Sequence, residues 1–527
     1  MLHWSISRKF LFIVPVLVLI DCVMIIIILV NTNLIQGVSM QSLRGLLTRL
    51  WYRTACPKCN VVLISIDSLR ADELPCYGYS RNTAPNICRF ASGSVIFKNA
   101  QSNQNWTMPS EFSIFTSLYP SVHLMRREGK GVLSTSITTL TEQLKNNGYN
   151  TVYVGFTDHA HFPLDKGLGR GFDTFKQNIW GIEGLPAGLE LLKQNTKRHK
   201  PTFLFAHIYS VHFPYIPGDH GKRLFTNDYY PLIPLTRDDF FNQYADFPQY
   251  VLKELREYIT VSDEGAFEYS SLEKDRAIYT SMLHTTNVAD FKKLFNSLSS
   301  LERFNILGDK WQDSINRYDY HVVDYLRALY DERIYQLDQG LGPLFTVLSD
   351  PEVKKNTIVI ITSDHGDEFM EHGSLLHGAN LYAGAIHVPL IISVPGIKPH
   401  QTEALAQGID IYPTILGIIG VDKPHWVSGI DLTDQMRNIP NAAQNNFLIS
   451  EHGRDSHLRT IRSRRWKLII DDSISKTPTE LYDLLNDPQE KVNVVNDYPG
   501  VVTNMLNEIN TTLKNQPSFS SIELQPK

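Results

Sequence analysis

The sequence lacks the features that mark several protein classes. Its 527 residues carry 50 Lys and Arg against 55 Asp and Glu, a net charge of -5, so there is no basic excess to bind a nucleic-acid backbone. Internal repeats and low-complexity tracts do not occur. Hydrophobic residues make up 43% and charged residues 20% of the chain, which is typical of a globular protein. We therefore expect a globular protein that has no nucleic-acid partner.

The chain is also poor in cysteine, with five in all. Cys56 and Cys59 have the spacing of half a zinc site or of a redox pair. No second pair follows at the spacing of a zinc ribbon, and no thioredoxin-like unit surrounds them. The sequence leaves either a local disulfide or two free thiols at this position.

One long apolar run stands out near the start, from Phe10 to Val30. At about 1.5 Å of rise per residue, a helix of this length spans a hydrocarbon core of about 30 Å. Arg8 and Lys9 precede the run, and no small-x-small cleavage pattern follows it. We predict an N-terminal tail (1–9), an uncleaved single-pass transmembrane helix (10–30), a stalk (31–59) and a globular part outside the cytoplasm.

Short β-branched runs alternate with helical stretches from Asn60 onward, which predicts an α/β fold whose mostly parallel sheet is covered by helices on both faces. This pattern defines a catalytic domain over residues 60–425, with an insertion at about 220–325 that is rich in aromatic residues. The insertion is either a lid that selects substrate or a helical pack with its own core. The predicted strands are Val61 to Ile66, Thr151 to Val154, Thr202 to Ile208, Thr357 to Thr362 and Leu390 to Ser393.

The pattern shortens after about residue 425, which predicts a C-terminal subdomain over 426–527. Strands at Phe447 to Ser450, Leu458 to Arg462 and Trp466 to Ile470 indicate a small antiparallel sheet. A helix is expected near Pro499 to Lys514.

Acidic residues and a histidine follow two of the predicted strands. Asp67 comes after the first strand, and Asp364 and His365 follow the strand that ends at Thr362. The carboxyl ends of parallel strands are where open α/β sheets bind ligands. With the hydroxyl of Thr107 these side chains make a four-ligand set for Zn²⁺, Mn²⁺, Mg²⁺ or Ca²⁺. Such a cation would activate Thr107 as a nucleophile.

Further histidines are concentrated near these positions. The segment from Asp364 to Gly378 contains three histidines among acidic residues, and another, His212, lies just after a predicted strand. We assign His212 and His377 either to binding the non-bridging oxygens of an anionic substrate or to protonating its leaving group. His207, within the strand, is interpreted as a packing residue.

These residues resemble the sulfatases of the alkaline phosphatase superfamily over roughly 60–495. The matching motifs, in the family's order, are Asn60-Val61-Val62-Leu63-Ile64-Ser65-Ile66-Asp67 with Arg70-Ala71-Asp72, Tyr77-Gly78-Tyr79, Thr83-Ala84-Pro85-Asn86, Thr107-Met108-Pro109-Ser110, Leu118-Tyr119-Pro120, Gly171-Phe172-Asp173, His212-Phe213-Pro214-Tyr215, Ser363-Asp364-His365-Gly366, Val388-Pro389-Leu390-Ile391-Ile392, Asp410-Ile411-Tyr412-Pro413-Thr414, Trp466-Lys467-Leu468 and Leu481-Tyr482-Asp483-Leu484 with Asp487-Pro488. The resemblance implies the alkaline-phosphatase/sulfatase fold and a divalent cation as cofactor.

Four positions depart from the sulfatase pattern. Sulfatases convert a Cys or Ser to formylglycine, and Thr107 at that position does not undergo this conversion. Glu111 replaces the motif's arginine, Phe156 the lysine expected after the next strand, and Ser68 the second Asp of the usual pair. The positive charge that holds a sulfate ester is therefore depleted, while the set of Asp67, Thr107, Asp364 and His365 is complete.

A threonine with this ligand set is similar to the phosphodiesterases, phosphoethanolamine transferases and lipoteichoic acid synthases of the superfamily. This similarity implies a membrane-anchored hydrolase or phosphotransferase that acts on phosphoesters through a covalent Thr107 intermediate. The substrate would be an anionic ester, and the membrane anchor suits a lipid-linked molecule or an envelope glycan. Two alternatives stay open: a sulfuric ester hydrolase that works without formylglycine, and a catalytically silent binding protein, which Glu111 beside the nucleophile would favour through like-charge repulsion.

Overall fold

The computed structural model describes residues 56–126, 131–155, 162–176, 182, 184–198, 200–213, 215, 224–226, 278, 281, 288–297, 320–440, 442–452, 457–471, 480–519 and 522–523. The predicted tail, membrane helix and almost all of the stalk lie outside these residues, as does most of the insertion at about 220–325. Among the described residues, none of the helices combines the length and the apolar character needed to cross a membrane.

The described part of the chain alternates strands and helices. The strands are β1 (Asn60–Ile66), β2 (Val95–Gln101), β3 (Gly131–Val132), β4 (Asn150–Gly155), β5 (Thr174–Lys176), β6 (Thr202–Ile208), β7 (Thr357–Thr362), β8 (Glu368–Phe369), β9 (Leu375–Leu376), β10 (Leu390–Ser393), β11 (His400–Gln407), β12 (Leu448–Glu451), β13 (Leu458–Arg462), β14 (Trp466–Asp471), β15 (Glu480–Asp483) and β16 (Ile522–Glu523). The α-helices are α1 (Pro85–Ala91), α2 (Thr107–Thr116), α3 (Pro120–His123), α4 (Leu140–Asn146), α5 (Leu185–Lys197), α6 (Val288–Ser297), α7 (Tyr320–Gly340), α8 (Gly342–Ser349), α9 (Pro351–Lys354), α10 (Ala383–Ile386), α11 (Ile411–Ile419), α12 (Thr433–Met436) and α13 (Pro499–Lys514). Short 3₁₀ segments lie at Pro75–Tyr77 and Gly408–Asp410, and a π turn lies at Leu164–Leu168.

An eight-stranded sheet in the order β11-β2-β10-β7-β1-β6-β4-β5 forms the centre. Its strand pairs are parallel except where β10 meets β7 and β2, so β10 alone runs in the opposite direction. The register pairs Ile66 with Ile208 and Ser65 with Thr362, so β1, β6 and β7 end at the same edge. The segments that follow these three strands therefore emerge side by side.

The two faces of the sheet are covered by different helices. On one face Leu204, Ala206 and Ile208 of β6 pack in a core with residues of α5 and α7, such as Leu189 and Leu329. On the other face Phe205 contacts Phe115 of α2, with ring centroids 4.8 Å apart. Because side chains alternate along a strand, Ser65 and His207 point to the α2 face. The predicted mostly parallel, two-sided sheet is confirmed.

Toward the C-terminal end of the chain lies a four-stranded antiparallel sheet in the order β12-β13-β14-β15. The predicted small antiparallel sheet is confirmed, and β15 is a strand that was not predicted. The sheet contacts the central sheet near the end of β2, where Gln101 Nε2 donates to Ser450 Oγ at 2.6 Å and Asn103 Nδ2 donates to the Ile449 carbonyl at 3.0 Å. A buried ion pair between Lys467 and Glu490, 2.6 Å apart, fixes β14 to the segment after β15. The small sheet is thus joined to the edge of the large one.

Several features of the fold were not predicted from the sequence. Strands β2, β5 and β11 of the central sheet and β15 of the small sheet were missed. The β11 segment His400–Gln407 has an edge position and half-exposed, mixed polar residues that give no clear hydrophobic pattern. The structure also resolves the cysteine alternatives: Cys56 pairs with Cys59, and Cys76 with Cys88.

His123 generates a prediction about pH and stability. Met125 N donates to His123 Nδ1 at 3.0 Å, so Nε2 carries the proton that faces Ser113 Oγ at 3.1 Å. Burial, aided by Arg126, lowers the pKa of His123 to about 3, so the folded protein keeps this ring neutral. The unfolded chain takes up the proton below about pH 6.5, so the stability from this group is complete above that pH and falls as the pH drops.

We expect His123 to lower the free energy of unfolding by about 2 kcal/mol between pH 7.5 and pH 5. Urea unfolding at the two pH values should show that His123→Gln loses this part of the pH dependence. His425→Gln, at an exposed position, is the control and should behave like the unsubstituted protein. Equal pH slopes for His123→Gln and the unsubstituted protein would show that His123 is protonated in the folded state.

Candidate active site

Thr107 is the first residue of α2, at the centre of a polar cluster. Its hydroxyl oxygen lies 3.4 Å from Asp67 Oδ2 and 3.1 Å from His365 Nε2, and its side chain is buried. The first backbone N–H groups of a helix lack intrahelical partners and give this end a partial positive charge. The threonine hydroxyl therefore lies where an anionic group is electrostatically favoured.

The strand ends bring the two aspartates next to each other. Ser68, with a left-handed φ of 60°, turns the chain directly after Asp67. Its N–H donates to Asp364 Oδ1 at 3.1 Å, and its hydroxyl donates to Asp67 Oδ1 at 2.8 Å. The Tyr330 hydroxyl, which donates to the Ser68 carbonyl at 2.7 Å, holds the turn. Ser68 thus joins the two carboxylates across neighbouring strands.

The residues predicted to bind a cation are arranged to accept one. Asp364 Oδ2 is buried and accepts no hydrogen bond within the described part of the chain. His365 Nδ1 donates to the Gly366 carbonyl at 3.1 Å, which leaves the Nε2 lone pair directed toward Thr107. Burial and the nearby Asp364 carboxylate raise the pKa of Asp67 well above its usual range. An orphaned carboxylate oxygen, a second carboxylate under like-charge repulsion and a neutral imidazole fit a divalent cation.

Glu111 lies one helical turn after Thr107 and forms the floor of the site. Ser65 Oγ donates to Glu111 Oε1 at 2.6 Å, while Glu111 Oε2 is buried with no hydrogen-bond partner among the described residues. Burial, followed by repulsion from Asp364, raises the pKa of Glu111 well above its usual range. The protonated form of Glu111 is therefore favoured over the ionised form, which reduces the like-charge repulsion that the sequence suggested.

His207 is the site residue that sequence reasoning interpreted as packing. Its ring does pack on Phe162, with centroids 5.6 Å apart, but its Nε2 lies 3.7 Å from Asp67 Oδ2 and 3.9 Å from Glu111 Oε1. Because side chains alternate between the two faces along β6, the sequence places His207 on one face of the sheet. Only the structure shows that α2, which carries Thr107, covers that face.

His212 and His377 meet next to His365. The His377 ring centroid lies 4.2 Å from that of His365 and 5.2 Å from that of His212. His377 Nδ1 is 2.7 Å from Asp367 Oδ1, and the Tyr215 hydroxyl donates to Asp367 Oδ2. The structure therefore brings all the predicted site residues together. It adds Asp367, whose position in the acidic segment after Asp364 was the signal in the sequence.

Trp106 closes the site beside His377. Their ring centroids are 4.7 Å apart in an edge-to-face arrangement. The next residue, Gly378, has a φ of 85°, and a Cβ there would lie 2.2 Å from Trp106 Cζ3. Glycine is needed at this position both for the left-handed backbone and for the close approach of the indole ring.

The nearest buried arginine is held by acidic partners. Arg70 pairs with Asp72 and Glu371, each at 2.8 Å, and donates to the Asp367 carbonyl at 2.9 Å. Arg327 pairs with Glu73 and Glu371 at 2.9 Å and 2.7 Å. These cations fix the loop that carries Asp367. Phe156, which stands where the sulfatase pattern has lysine, lies outside the described residues.

The raised pKa of Glu111 generates a prediction. A carboxyl whose pKa is raised in the folded state costs stability above its unfolded pKa, because only the unfolded chain then releases the proton. The glutamine of Glu111→Gln has the same shape and keeps an oxygen that accepts from Ser65 Oγ. Because it does not ionise, it avoids this loss of stability. We expect the Glu111→Gln protein to have a higher melting temperature than the unsubstituted protein at pH 8 and the same melting temperature at pH 4.

Differential scanning calorimetry at both pH values tests this prediction, with Glu352→Gln on the exposed end of α9 as a control that should show no such difference. A lower melting temperature for Glu111→Gln at pH 8 would mean that the ionised carboxylate stabilises the fold.

Comparisons with known proteins agree with this geometry. The Sulfatase family model matches residues 59–421, and the model described as N-sulphoglucosamine sulphohydrolase, C-terminal, matches residues 371–516. Arylsulfatase K of Gallus gallus is 30% identical over 237 residues, which cover 43% of this chain and 44% of the relative. The match thus spans less than half the length of that relative.

Solved structures share the fold. A protein solved in complex with its substrate D-glucosamine-2-N,6-O-disulfate superposes with a TM-score of 0.62 at 18% identity, covering 87% of this chain and 98% of that one. The phosphonate monoester hydrolase of Agrobacterium radiobacter has a TM-score of 0.58 at 18% identity, covering 86% and 95%. Because the family model matches more than half of the chain, this protein belongs to the sulfatase family, whose members are hydrolases of the alkaline phosphatase superfamily.

Proposed function

We propose that this protein hydrolyses sulfate esters, with Thr107 as the nucleophile. The family match and the arylsulfatase relatives favour sulfate over phosphate. The observation that carries the catalytic assignment is the position of the Thr107 hydroxyl at the start of α2, within 3.4 Å of Asp67 and 3.1 Å of His365. The reaction does not require formylglycine, because an activated hydroxyl is itself a nucleophile.

Asp67, Thr107, Asp364 and His365 would hold the divalent cation. When bound, the cation lowers the pKa of the threonine hydroxyl and offsets charge on the ester. Thr107 Oγ1 then attacks sulfur, its bond to sulfur forms, and the bond from sulfur to the leaving oxygen breaks. Water attacks the threonine sulfate in the second step, which releases sulfate and restores the hydroxyl.

The histidines near Thr107 serve the leaving group. The His377 ring lies 4.2 Å from that of His365, whose Nε2 is 3.1 Å from Thr107 Oγ1, and the His212 ring lies 5.2 Å from that of His377, so both imidazoles are close to the nucleophile. The leaving alkoxide needs a proton, and an imidazole supplies one near neutral pH. The same pair would take up the proton of the attacking water, so both steps use one side of the site.

A phosphoester hydrolase is the second candidate, and Thr107 itself favours it. Threonine and an activating cation form a phosphothreonine without prior modification, and Glu111, whose pKa burial raises, supplies no positive charge at the position of the sulfatase arginine. The likeness to phosphonate monoester hydrolases shows that this fold also serves phosphorus chemistry. Water is the acceptor in both candidates, and an alcohol acceptor would make the protein a transferase.

The proposed substrate is an anionic, sulfated sugar. One relative's structure contains a sulfated glucosamine, which is the reason for choosing this class. We also propose that Phe10 to Val30 anchors the enzyme and that the catalytic unit faces outward, which would give access to envelope glycans or lipid-linked esters. The disulfides Cys56–Cys59 and Cys76–Cys88 support an oxidising compartment.

The nucleophile is tested with Thr107→Ala and Thr107→Ser on nitrophenyl sulfate, bis-nitrophenyl phosphate and a phenylphosphonate monoester. We expect Thr107→Ala to lose at least about a thousandfold in kcat/KM, since the covalent route needs the hydroxyl, and Thr107→Ser to retain most of the activity. Preference for the sulfate supports the first candidate, and preference for either phosphorus ester supports the second. Activity of Thr107→Ala within tenfold of the unsubstituted enzyme would refute Thr107 as nucleophile.

The anchor is tested by expressing the full chain and a variant lacking residues 1–31. We expect only the full chain to stay in the membrane pellet after extraction with alkaline carbonate, because the apolar run alone provides the insertion energy. Protease added to intact cells or spheroplasts should digest the catalytic unit. Protection of that unit until lysis would reverse the proposed orientation.

A further inference from the structure

A cavity lies where the edge of the central sheet meets the small antiparallel sheet. The described residues that line it belong to β2, β11, β13, β14, α10 and the segment after β15, and all of them lie outside the candidate active site. The cavity volume is about 280 Å³. Pockets for small molecules begin at about 300 Å³. The cavity therefore has room for a small ligand.

Cationic side chains outnumber acidic ones around this cavity. Arg462, Arg464 and Lys467 line it, and the acids among its described lining residues are Glu403 and Glu490. Lys467 Nζ lies 2.6 Å from Glu490 Oε1, so these two charges offset each other. Two arginines and one glutamate remain, which leaves one net positive charge at the cavity. An anionic ligand would balance that charge.

Arg462 is the half-buried cation of the cavity. It donates through its NH2 group to Asn99 Oδ1 at 2.7 Å, and the same Asn99 donates through Nδ2 to Glu403 Oε2 at 2.8 Å. A neutral amide thus separates the guanidinium from the nearby carboxylate. The buried Nε of Arg462 has no acceptor within the described part of the chain. Burial lowers the pKa of Arg462, and the attraction of Glu490 and Glu403 does not cancel this shift.

The helix α10 connects the cavity to the loops of the active site. Residues of α10 line the cavity, and its Ala385 carbonyl accepts from Gly366 N at 2.8 Å. Directly after the helix, the His387 carbonyl accepts from Ala71 N at 3.1 Å. A ligand in the cavity would therefore contact the helix that holds the loops after β1 and β7.

We propose that this cavity binds an oxyanion, a sulfate or carboxylate group, through Arg462 and Arg464. The planar guanidinium group donates parallel hydrogen bonds to such a group, and hydrogen bonds between charged partners are stronger than those between neutral ones. Leu484 and Leu485 also line the cavity and offer apolar surface to the remainder of a small molecule that carries the oxyanion. This site is separate from the chemistry at Thr107.

Chemical modification of arginine tests the site without reference to catalysis. The full chain is treated with phenylglyoxal, which reacts with accessible guanidinium groups, and peptide mass spectrometry identifies the modified residues. We expect glucose 6-sulfate and glucuronate to protect the exposed Arg464 saturably, and glucose to give no protection. Arg465 is the matched control: it is the next residue but pairs with Asp483 at 2.8 Å, so its rate should not change.

Two variants test whether the arginines act together. Arg462→Met keeps the apolar stem and removes the charge. We expect the concentration of glucose 6-sulfate that protects Arg464 to rise at least about tenfold in this variant, because a charge-assisted hydrogen bond is lost. Arg464→Met changes an exposed position that the fold tolerates, and the same rise is expected there for the protection of Arg462. Arg465→Met should match the unsubstituted protein.

Inorganic sulfate distinguishes two sources of the oxyanion. Protection of Arg464 by inorganic sulfate at the same concentration as by glucose 6-sulfate would assign the site to the free ion. Protection by the sugar at a much lower concentration would assign it to a small molecule that carries the group. Modification of Arg464 at one rate with and without every anionic probe, or equal protection of Arg465, would overturn the proposal. Protection by glucose would also overturn it.

Discussion

Repulsion among buried carboxylates is the constraint on which this structure depends. Asp67 and Asp364 follow neighbouring parallel strands whose register makes β1 and β7 end together, so the fold itself forces the two acids into contact. Asp367 adds a third acid three residues later. Burial raises the pKa of Asp67 and of Asp367, so it disfavours the ionised form of both carboxyl groups. Cation binding at this edge therefore contributes to stability as well as to chemistry.

The surroundings of the site are organised to keep that charge in place. Ser68 links the two aspartates through its N–H and its hydroxyl, and Arg70 connects the loop after β1 to the loop after β7. Beneath the nucleophile, Ser65 Oγ donates to Glu111 Oε1. Burial raises the pKa of Glu111, which disfavours a negative charge at this position next to Asp364. The one substitution that suggested a silent site is thus compatible with a working one.

Residues around the C-terminal antiparallel sheet support the loop that carries His377. His372, in the loop that carries His377, contacts Glu368 at 3.2 Å and the Gln489 carbonyl at 3.1 Å. Burial lowers the pKa of His372, but the hydrogen bond to Glu368 outweighs it and the net shift is upward. Glu490 accepts from both Lys467 and Ala383 N. Residues far apart in the chain thereby hold the histidine loop against Trp106.

The strand pattern and the residues that follow the strands were sufficient to predict the α/β fold, the small antiparallel sheet and the grouping of Asp67, Asp364 and His365, while Thr107 was identified from its sequence motif. These inferences succeed because continuous β-branched runs indicate strands that are buried on both faces, and parallel strands present their carboxyl ends at one edge. The sequence by itself did not determine the protonation of Glu111 or the place of His207. Both depend on which face of the sheet α2 covers, and only the tertiary structure decides that, because desolvation and proximity arise from contacts between segments distant in the chain.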